Sequence, residues 1–444
     1  MKRVLTWFAL GSVFVVGAHP VAAQSPSPVT FSKHVAPILQ QKCQECHRPG
    51  SIAPMSLLTY DDARKHAATI AEKVTAREMP PWHIDKSAGI REYKNDRSLS
   101  DEQIAAITTW VEQGAPRGDD RDLPPPMTWP NEDGWRMASQ FGPPDLIVKS
   151  APFTMPARGQ DKWWRPLVET GLTEERWVRA IEVRPSFPNG RRAVHHVLTM
   201  LEQNETGITH LASTAEHSGT RMTAGLFMEW AVGKTGEIFP PNAGKLMLPG
   251  AKIRWEVHYY AVGEEIRDDV VELGVWFYPK GQAPQNRTIL RMFNVADGSE
   301  LDIPPGKKTM TQNFFVMPAP GRIENFQPHM HMRGKAMSVE AVYPDGRREL
   351  LSVVNNFQWK WHVNYIYADH VAPLLPKGTT LVFTAWHDNT ADNPNNPDPR
   401  QWVGWGDRTV DEMAHAWVDV TYLEQDEFDR LVAERRARQQ RGNQ

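Results

Sequence analysis

Only two cysteines occur in the 444 residues, and they stand three positions apart, at Cys43 and Cys46. No disulfide framework can staple a chain of this length on that supply, so its parts must be held by packing. The N-terminus sharpens the constraint, because it reads as an export signal. Lys2 and Arg3 precede an apolar run from Val4 to Gly17, and Val21-Ala22-Ala23 ends it with small residues, which predicts cleavage after Ala23. The competing reading, an uncleaved anchor, asks for a longer apolar run than this one. No later stretch approaches 18 uninterrupted apolar residues, so no stable membrane insertion is expected and the predicted location is periplasmic or secreted. An exported chain that places its only thiols in one short motif has committed them to something other than structure. Near-balanced charge, 50 Lys+Arg against 53 Asp+Glu, leaves no basic excess to neutralise phosphates, and nucleic acid is excluded as a partner.

The hydrophobic pattern divides the mature chain into unlike parts. Residues 28–116 read as helical. Phe31, Val35, Ile38 and Leu39 fall at helix spacing, with Pro37 as a potential kink. Thr59 is positioned to cap a second helix running to Glu78, and Ser100 with Gln103 forms the sequence of a capping box before Ile104, Ile107, Trp110 and Val111. Gly114 supplies the stop. Residues 117–143, centred on Pro124-Pro125-Pro126, read as a stiff Pro- and Asp-rich linker. Beyond it the period changes to short β-rich runs punctuated by Gly, Pro and Asn, such as Ala193 to Leu201, Ile253 to Val262 and Thr380 to His387. Two antiparallel, jelly-roll-like β-sandwiches fit the length, one over 144–304 and one over 305–424. A charged tail, 425–444, follows as a solvated helix.

Cys43-Gln44-Glu45-Cys46-His47 is the first chemical motif. In C-x-x-C-H two thiols add across the haem vinyl groups while the next histidine ligates the iron. The competing reading, a redox dithiol, belongs beside a βαβ unit and leaves His47 without a role. For the sixth ligand, Met79 in Glu78-Met79-Pro80-Pro81-Trp82 is the choice, since consecutive prolines make a rigid loop; Met55 and His83 are the competitors. The region resembles a small c-type cytochrome domain.

In the β region, His195-His196 share one strand, His258 lies on another and His329-Met330-His331 on a third. Residues i and i+2 of a strand share a face, so His329 and His331 can grip one ion. Adjacent His195 and His196 point to opposite faces of a flat strand and need local twist, or different ring nitrogens, to share one. Taken alone these pairs are weak signals, and zinc is a rival occupant of a three-histidine site.

The ordered set Ala193-Val194-His195-His196-Val197, Glu256-Val257-His258-Tyr259, Pro328-His329-Met330-His331-Met332-Arg333-Gly334-Lys335 and Asp411-Glu412-Met413 resembles the copper type II, ascorbate-dependent monooxygenases, the peptidylglycine α-hydroxylating and dopamine β-monooxygenase enzymes. The resemblance covers roughly residues 145 to 424. It implies that His195, His196 and His258 bind an electron-transfer copper, and that His329, His331 and Met413 bind a second copper where dioxygen reacts. It also implies two β-sandwiches facing each other across an open, solvent-filled cleft. A thioether in place of one imidazole suits Cu(I) and argues against zinc.

Three departures from the family bear on substrate. Its disulfides have no counterpart here. Gln327 stands where peptide-amidating members carry an arginine, and His415 and Trp417 stand where they carry an asparagine and a tyrosine that anchor a peptide carboxylate. Peptide amidation is therefore not expected, and the pocket around Gln327, His415 and Trp417 should admit something more apolar or aromatic. His362, His370 and His387 read as structural.

The resulting expectation is an exported monooxygenase that hydroxylates a C–H bond of a small organic substrate with dioxygen, one haem c and two copper ions relaying electrons from a periplasmic donor, either a small molecule or a redox protein. Two other classes stay open: a non-catalytic electron-transfer or copper-binding module, and an oxidase or reductase that turns over dioxygen without an organic substrate.

Overall fold

The computed structural model describes residues 28–129, 133–205, 225–231, 234, 236–296 and 300–442; the export signal predicted over 1–23 lies outside the described residues. Helices form where the sequence supplies their caps. Pro37 sits in the first turn of Ala36–Lys42, where its missing N–H is not needed, behind a π-helical turn over Phe31–Val35. Thr59 and Asp62 make a reciprocal capping box at the start of Tyr60–Lys65. The helix expected to run on to Glu78 is broken at His66 and resumes as Ala67–Thr75. Ser100 and Gln103 cap Asp101–Glu112 as expected, and Gly114 leaves it with a φ of +84°. Phe31, Val35, Leu39, Ala63, Ile70, Val74, Ile107 and Trp110 bury into one apolar core.

The next stretch leaves that core. Trp82, Ile84 and Tyr93 belong to the core of the C-terminal β unit, and backbone bonds run from Asp85 to Val353 (2.9 Å), Ile90 to Leu351 (2.8 Å) and Lys94 to Ile366 (2.8 Å). Gly89 permits this approach: its φ is +65°, and a Cβ there would lie 2.5 Å from the Leu351 carbonyl oxygen.

The remainder is mostly β-sheet. In the first sandwich, strands Lys162–Trp164, Lys252–Tyr259, Val194–Glu202 and Leu226–Ala231 form one sheet. It packs on Leu146–Lys149, Glu272–Phe277, Arg176–Arg184 and Ala243–Met247 through a core that includes Val178, Ile181, Val197, Trp230, Trp255 and Val257. In the second, Lys308–Val316, Thr380–Asp388, Gly334–Val342 and Arg348–Val354 pack on Asn286–Ala296, Asn325–Met330 and Ala414–Tyr422. Asn286–Ala296, which precedes the boundary expected near 304, therefore contributes Ile289, Phe293 and Val295 to the second core. Its first residues also pair in parallel with Ala243–Met247, so one sheet of each sandwich continues into the other.

The later part of the stretch expected to be a stiff linker packs on the first sandwich. Trp135 packs edge-on against Trp276 and lies so close to Gly274 that a Cβ there would meet its ring at 2.7 Å. The buried carboxylate of Glu182 accepts the backbone N–H groups of Arg136 and Met137, each at 3.1 Å. The tail forms a helix, Gln425–Gly442, whose first turn is held by Asn286 donating to Glu427 at 3.2 Å. Among the described residues no helix is long and apolar enough to cross a membrane.

Replacing Glu182 with Ala strips the acceptor from two backbone N–H groups. The expected loss is about 1–3 kcal/mol in a denaturant titration, with faster proteolysis between residues 133 and 142. Unchanged stability and protease resistance would show that the segment is anchored elsewhere.

Candidate metal centre

Three imidazoles converge because a strand is irregular. On Val194–Glu202, His196 pairs opposite His258, but the next residue of the partner strand, Tyr259, pairs with Val194, so His195 is the extra residue of a β-bulge. Val194 and Val197 then both face the first core, and His195 and His196 both turn away from it. The reactive nitrogens of His195, His196 and His258 lie within 4.8 Å of one another, and the Nδ1 atoms of His195 and His258 are 3.4 Å apart. Asp161 accepts a hydrogen bond from His258 Nε2 at 3.2 Å, which leaves Nδ1 as the donor atom for a metal. Trp163 stacks flat on the His258 ring at 4.5 Å. The face-sharing that a flat strand forbids is thus achieved by one inserted residue.

The second group sits on the opposing sheet. His329 and His331 share a face, as the i, i+2 spacing requires, with ring centroids 5.2 Å apart. His331 Nδ1 donates to the Asp411 carbonyl at 3.1 Å, freeing Nε2. Both oxygens of the buried Glu412 carboxylate are used, accepting from the backbone N–H of His331 at 2.9 Å and of Arg333 at 2.5 Å. Met413 follows Glu412, one residue beyond the pairing of Ala414 with Met330, and its carbonyl accepts from His387 Nε2 at 3.3 Å.

The open, solvent-filled cleft implied by the family resemblance is not what separates these groups. Leu198 and Leu226 of the first sandwich pack with Leu290, Met292 and Trp417 of the second in an apolar seam. The histidines meet at its edge, with the His196 and His329 rings 6.4 Å apart. Gln327, His415 and Trp417, expected to wall a substrate pocket, are all buried. Gln327 donates to Glu229 at 2.8 Å and accepts from Lys234 at 3.2 Å, while His415 stacks on His329 at 4.6 Å.

His362, read from the sequence as structural, lies beside the clustered imidazoles, its ring 4.6 Å from His329, 5.7 Å from His196 and 5.9 Å from His195. A lone histidine in a loop of mixed composition carries no periodic signal. Buried nitrogens of this region lack hydrogen-bond partners: Nδ1 of His196, His329 and His362, and Nε2 of His415. An unpaired buried nitrogen is costly unless something coordinates it, and the donor set of clustered imidazoles fits copper or zinc.

At the helical region, Cys43, Cys46 and His47 come from one turn, closed by Cys46 N–H and His47 N–H donating to the Cys43 carbonyl. Both cysteines are free thiols. Burial pushes the Cys43 thiol up to about 12, and burial raises Cys46 as well, which opposes thiolate formation. His47 Nδ1 donates to the Met55 carbonyl at 3.3 Å, so its Nε2 is the free ligand atom, as an iron-binding histidine requires. Met79 is half-buried, its N–H donating to Lys73 on one side while Pro80 to Ile84 run buried into the second sandwich on the other. His83 is buried with Nε2 unpartnered.

One cleft of about 560 Å³ borders both the Cys43–His47 turn and the three-histidine cluster. Glu45, Cys46 and Ile52 line one wall and His195, Trp230 and Tyr260 another, with Arg97, Arg136, Arg191 and Arg192 around them.

No protein-family model matches the chain, and no curated protein matches it. Among solved structures, the chain is similar to the infectious bursal disease virus Gx strain structure at 9% identity, covering 64% of this chain and 73% of that one with a TM-score of 0.18. A Paenibacillus xanthan lyase gives 10%, 65%, 26% and 0.18, and a two-domain protein of unknown function from Bacteroides fragilis gives 9%, 63%, 95% and 0.13. Likenesses of that size carry no argument about fold or activity.

The buried titratable groups predict a pH profile for the metal-free protein. Burial holds His258, His331 and His387 at about 4 against an ordinary 6.5, so the unfolded chain takes up protons first and stability falls as pH drops from 6.5 towards 4. Glu229 and Glu412, raised by burial to about 7 and about 8, act the other way and cost stability as pH rises from 4.5 to 8. The imidazoles outnumber the carboxyls. Denaturation midpoints measured from pH 4 to 9 should peak near pH 6.5 and fall more steeply on the acid side.

Proposed function

We propose that this chain is an exported haem- and copper-dependent monooxygenase that hydroxylates a C–H bond of a small organic substrate with dioxygen. The observation that carries the reading is the cleft with Cys46 on one wall and His195 on the other, which sets the haem motif beside the three-histidine cluster. Cys43, Cys46 and His47, with Met79 as sixth ligand, are the residues that hold haem. His195, His196 and His258 hold one copper, and His329, His331 and Met413 the other. Bound there, haem c supplies single electrons and the copper pair supplies the activation of dioxygen.

The chain's own residues orient and shield these donors. Met55, Asp161 and Asp411 fix His47, His258 and His331 in the tautomers that expose a lone pair. Trp163 and Trp417 cover the imidazoles and keep water from their faces. The engagement of Gln327 by Glu229 and Lys234 leaves it no free group to anchor a peptide carboxylate, which supports a substrate other than the peptides of the amidating members.

A second reading, a non-catalytic electron-transfer or copper-binding module, is favoured by one observation: His329 is only 4% exposed, and a C–H substrate must come close to it. Oxygen uptake separates the two. Protein matured in a host that attaches haem c should carry two coppers per haem and consume dioxygen in proportion to an organic substrate. Met413→Ala should lose one copper and all oxygenation while haem reduction persists. Full oxygenation in that variant would overturn the site assignment, and haem without copper after reconstitution would overturn the function.

A further inference from the structure

The cleft between the Cys43–His47 turn and His195 combines two kinds of lining. Four guanidinium groups, those of Arg97, Arg136, Arg191 and Arg192, stand against one carboxylate, that of Glu45. Glu45 answers Arg136 at 3.2 Å, and Glu264 answers Arg192. Arg97 is half-buried and makes no hydrogen bond or ion pair among the described residues. Its charge is nonetheless felt at the motif: burial and the Glu45 carboxylate raise the Cys46 thiol, while Arg97, Arg136 and Arg48 act in the opposite sense.

The backbone that carries Arg97 is fixed. Lys42 donates to the Asp96 carbonyl at 3.0 Å, and the Asp96 carboxylate accepts from the Ser98 N–H at 2.8 Å. A guanidinium set on a fixed backbone, with no acceptor of its own, is prepared for an outside carboxylate, whose two oxygens match its fork. The rest of the lining is flat and apolar. Phe187 and Tyr260 are exposed aromatic side chains, and the Tyr260 ring meets that of His195 edge-on at 6.3 Å. A cleft of about 560 Å³ is of the size that seats a small organic molecule. Neither His47 nor Met79 lines it, so this space is separate from the iron ligands expected for haem.

We propose that the cleft binds a small organic anion, a carboxylate on a flat apolar body. Arg97 takes the carboxylate, and Phe187 and Tyr260 flank the body. The bound molecule touches His195, which of the three clustered imidazoles is the one that lines the cleft. The use of the site rests on the reading that the centre binds copper, since it then seats a small molecule against a copper ligand; its anion chemistry does not.

The test is calorimetric titration of the full chain, haem attached and copper removed, with benzoate, benzamide and acetate. Benzoate should bind at least about tenfold more tightly than benzamide, and Arg97→Gln should remove that advantage, as loss of one charge-assisted hydrogen bond predicts. Phe187→Ala should weaken benzoate and leave acetate unchanged. Equal binding of benzoate and benzamide by the parent chain overturns the proposal, and so does an unchanged benzoate affinity in folded Arg97→Gln. The comparison of the two probes on the parent chain needs no variant to fold. Copper uptake without benzoate binding overturns this site and leaves the proposed function standing. Benzoate binding by a chain that takes up no copper supports the site and overturns the function.

Discussion

The structure depends on two polar sheet faces buried against each other. Strand Ala414–Tyr422 is buried along its whole length: Ala414, Ala416, Val418 and Val420 serve the second core, while His415, Trp417 and Asp419 face the first sandwich. The opposing face carries Glu229, Lys234, Glu237 and Lys245, which answer with a chain of contacts running from Gln327 through Lys234 to Glu237, and from Lys245 to Asp419 at 3.4 Å. Removing so many polar groups from water is expensive unless each finds a partner. The lysines and carboxylates of this seam are paired through Lys234 and Lys245, while His196, His329, His362 and His415 each keep a buried ring nitrogen without a hydrogen-bond partner.

Without disulfides, the relative placement of the parts comes from continuity and from borrowed core. Asn286–Ala296 stitches one sheet to the next. Trp82, Ile84 and Tyr93 of the helical region are embedded in the second sandwich, whereas Trp135 and Arg136 bind it to the first, Arg136 also reaching Glu45 of the C-x-x-C-H motif at 3.2 Å. The turn carrying the cysteines is therefore held against the wall that carries His195. A tethered module would have to find that position by diffusion; here it is part of the packing.

Much of the local structure was legible. The capping boxes at Thr59 and Ser100, the stop at Gly114 and the shared face of His329 and His331 all follow from chemistry within a few residues. The bulge at His195 left a trace that strict alternation does not explain: two valines, Val194 and Val197, three apart in a strand whose core positions should be two apart. His362 left none. In the strand Ala414–Tyr422 small apolar and polar residues alternate as they do in a half-exposed strand, but here the polar face is covered by another sandwich. Within 117–143, whose Pro and Asp signal an extended linker, Trp135 supplies an apolar ring large enough to dock the end of the segment on Trp276.

What the sequence by itself determined is the inventory: a mostly β chain with short capped helices, no disulfide to hold it, two thiols and a histidine in one turn, and imidazoles at strand spacing. Those are properties of neighbours along the chain, fixed by hydrogen-bonding range and by the two periods of regular structure. Tertiary structure decided which of the imidazoles meet. Bringing His195, His196 and His258 to His329, His331 and His362 needs sheet register, one inserted residue and a seam of apolar side chains from Leu198 to Trp417. Each of those depends on burial against residues far away in sequence, which no local pattern encodes.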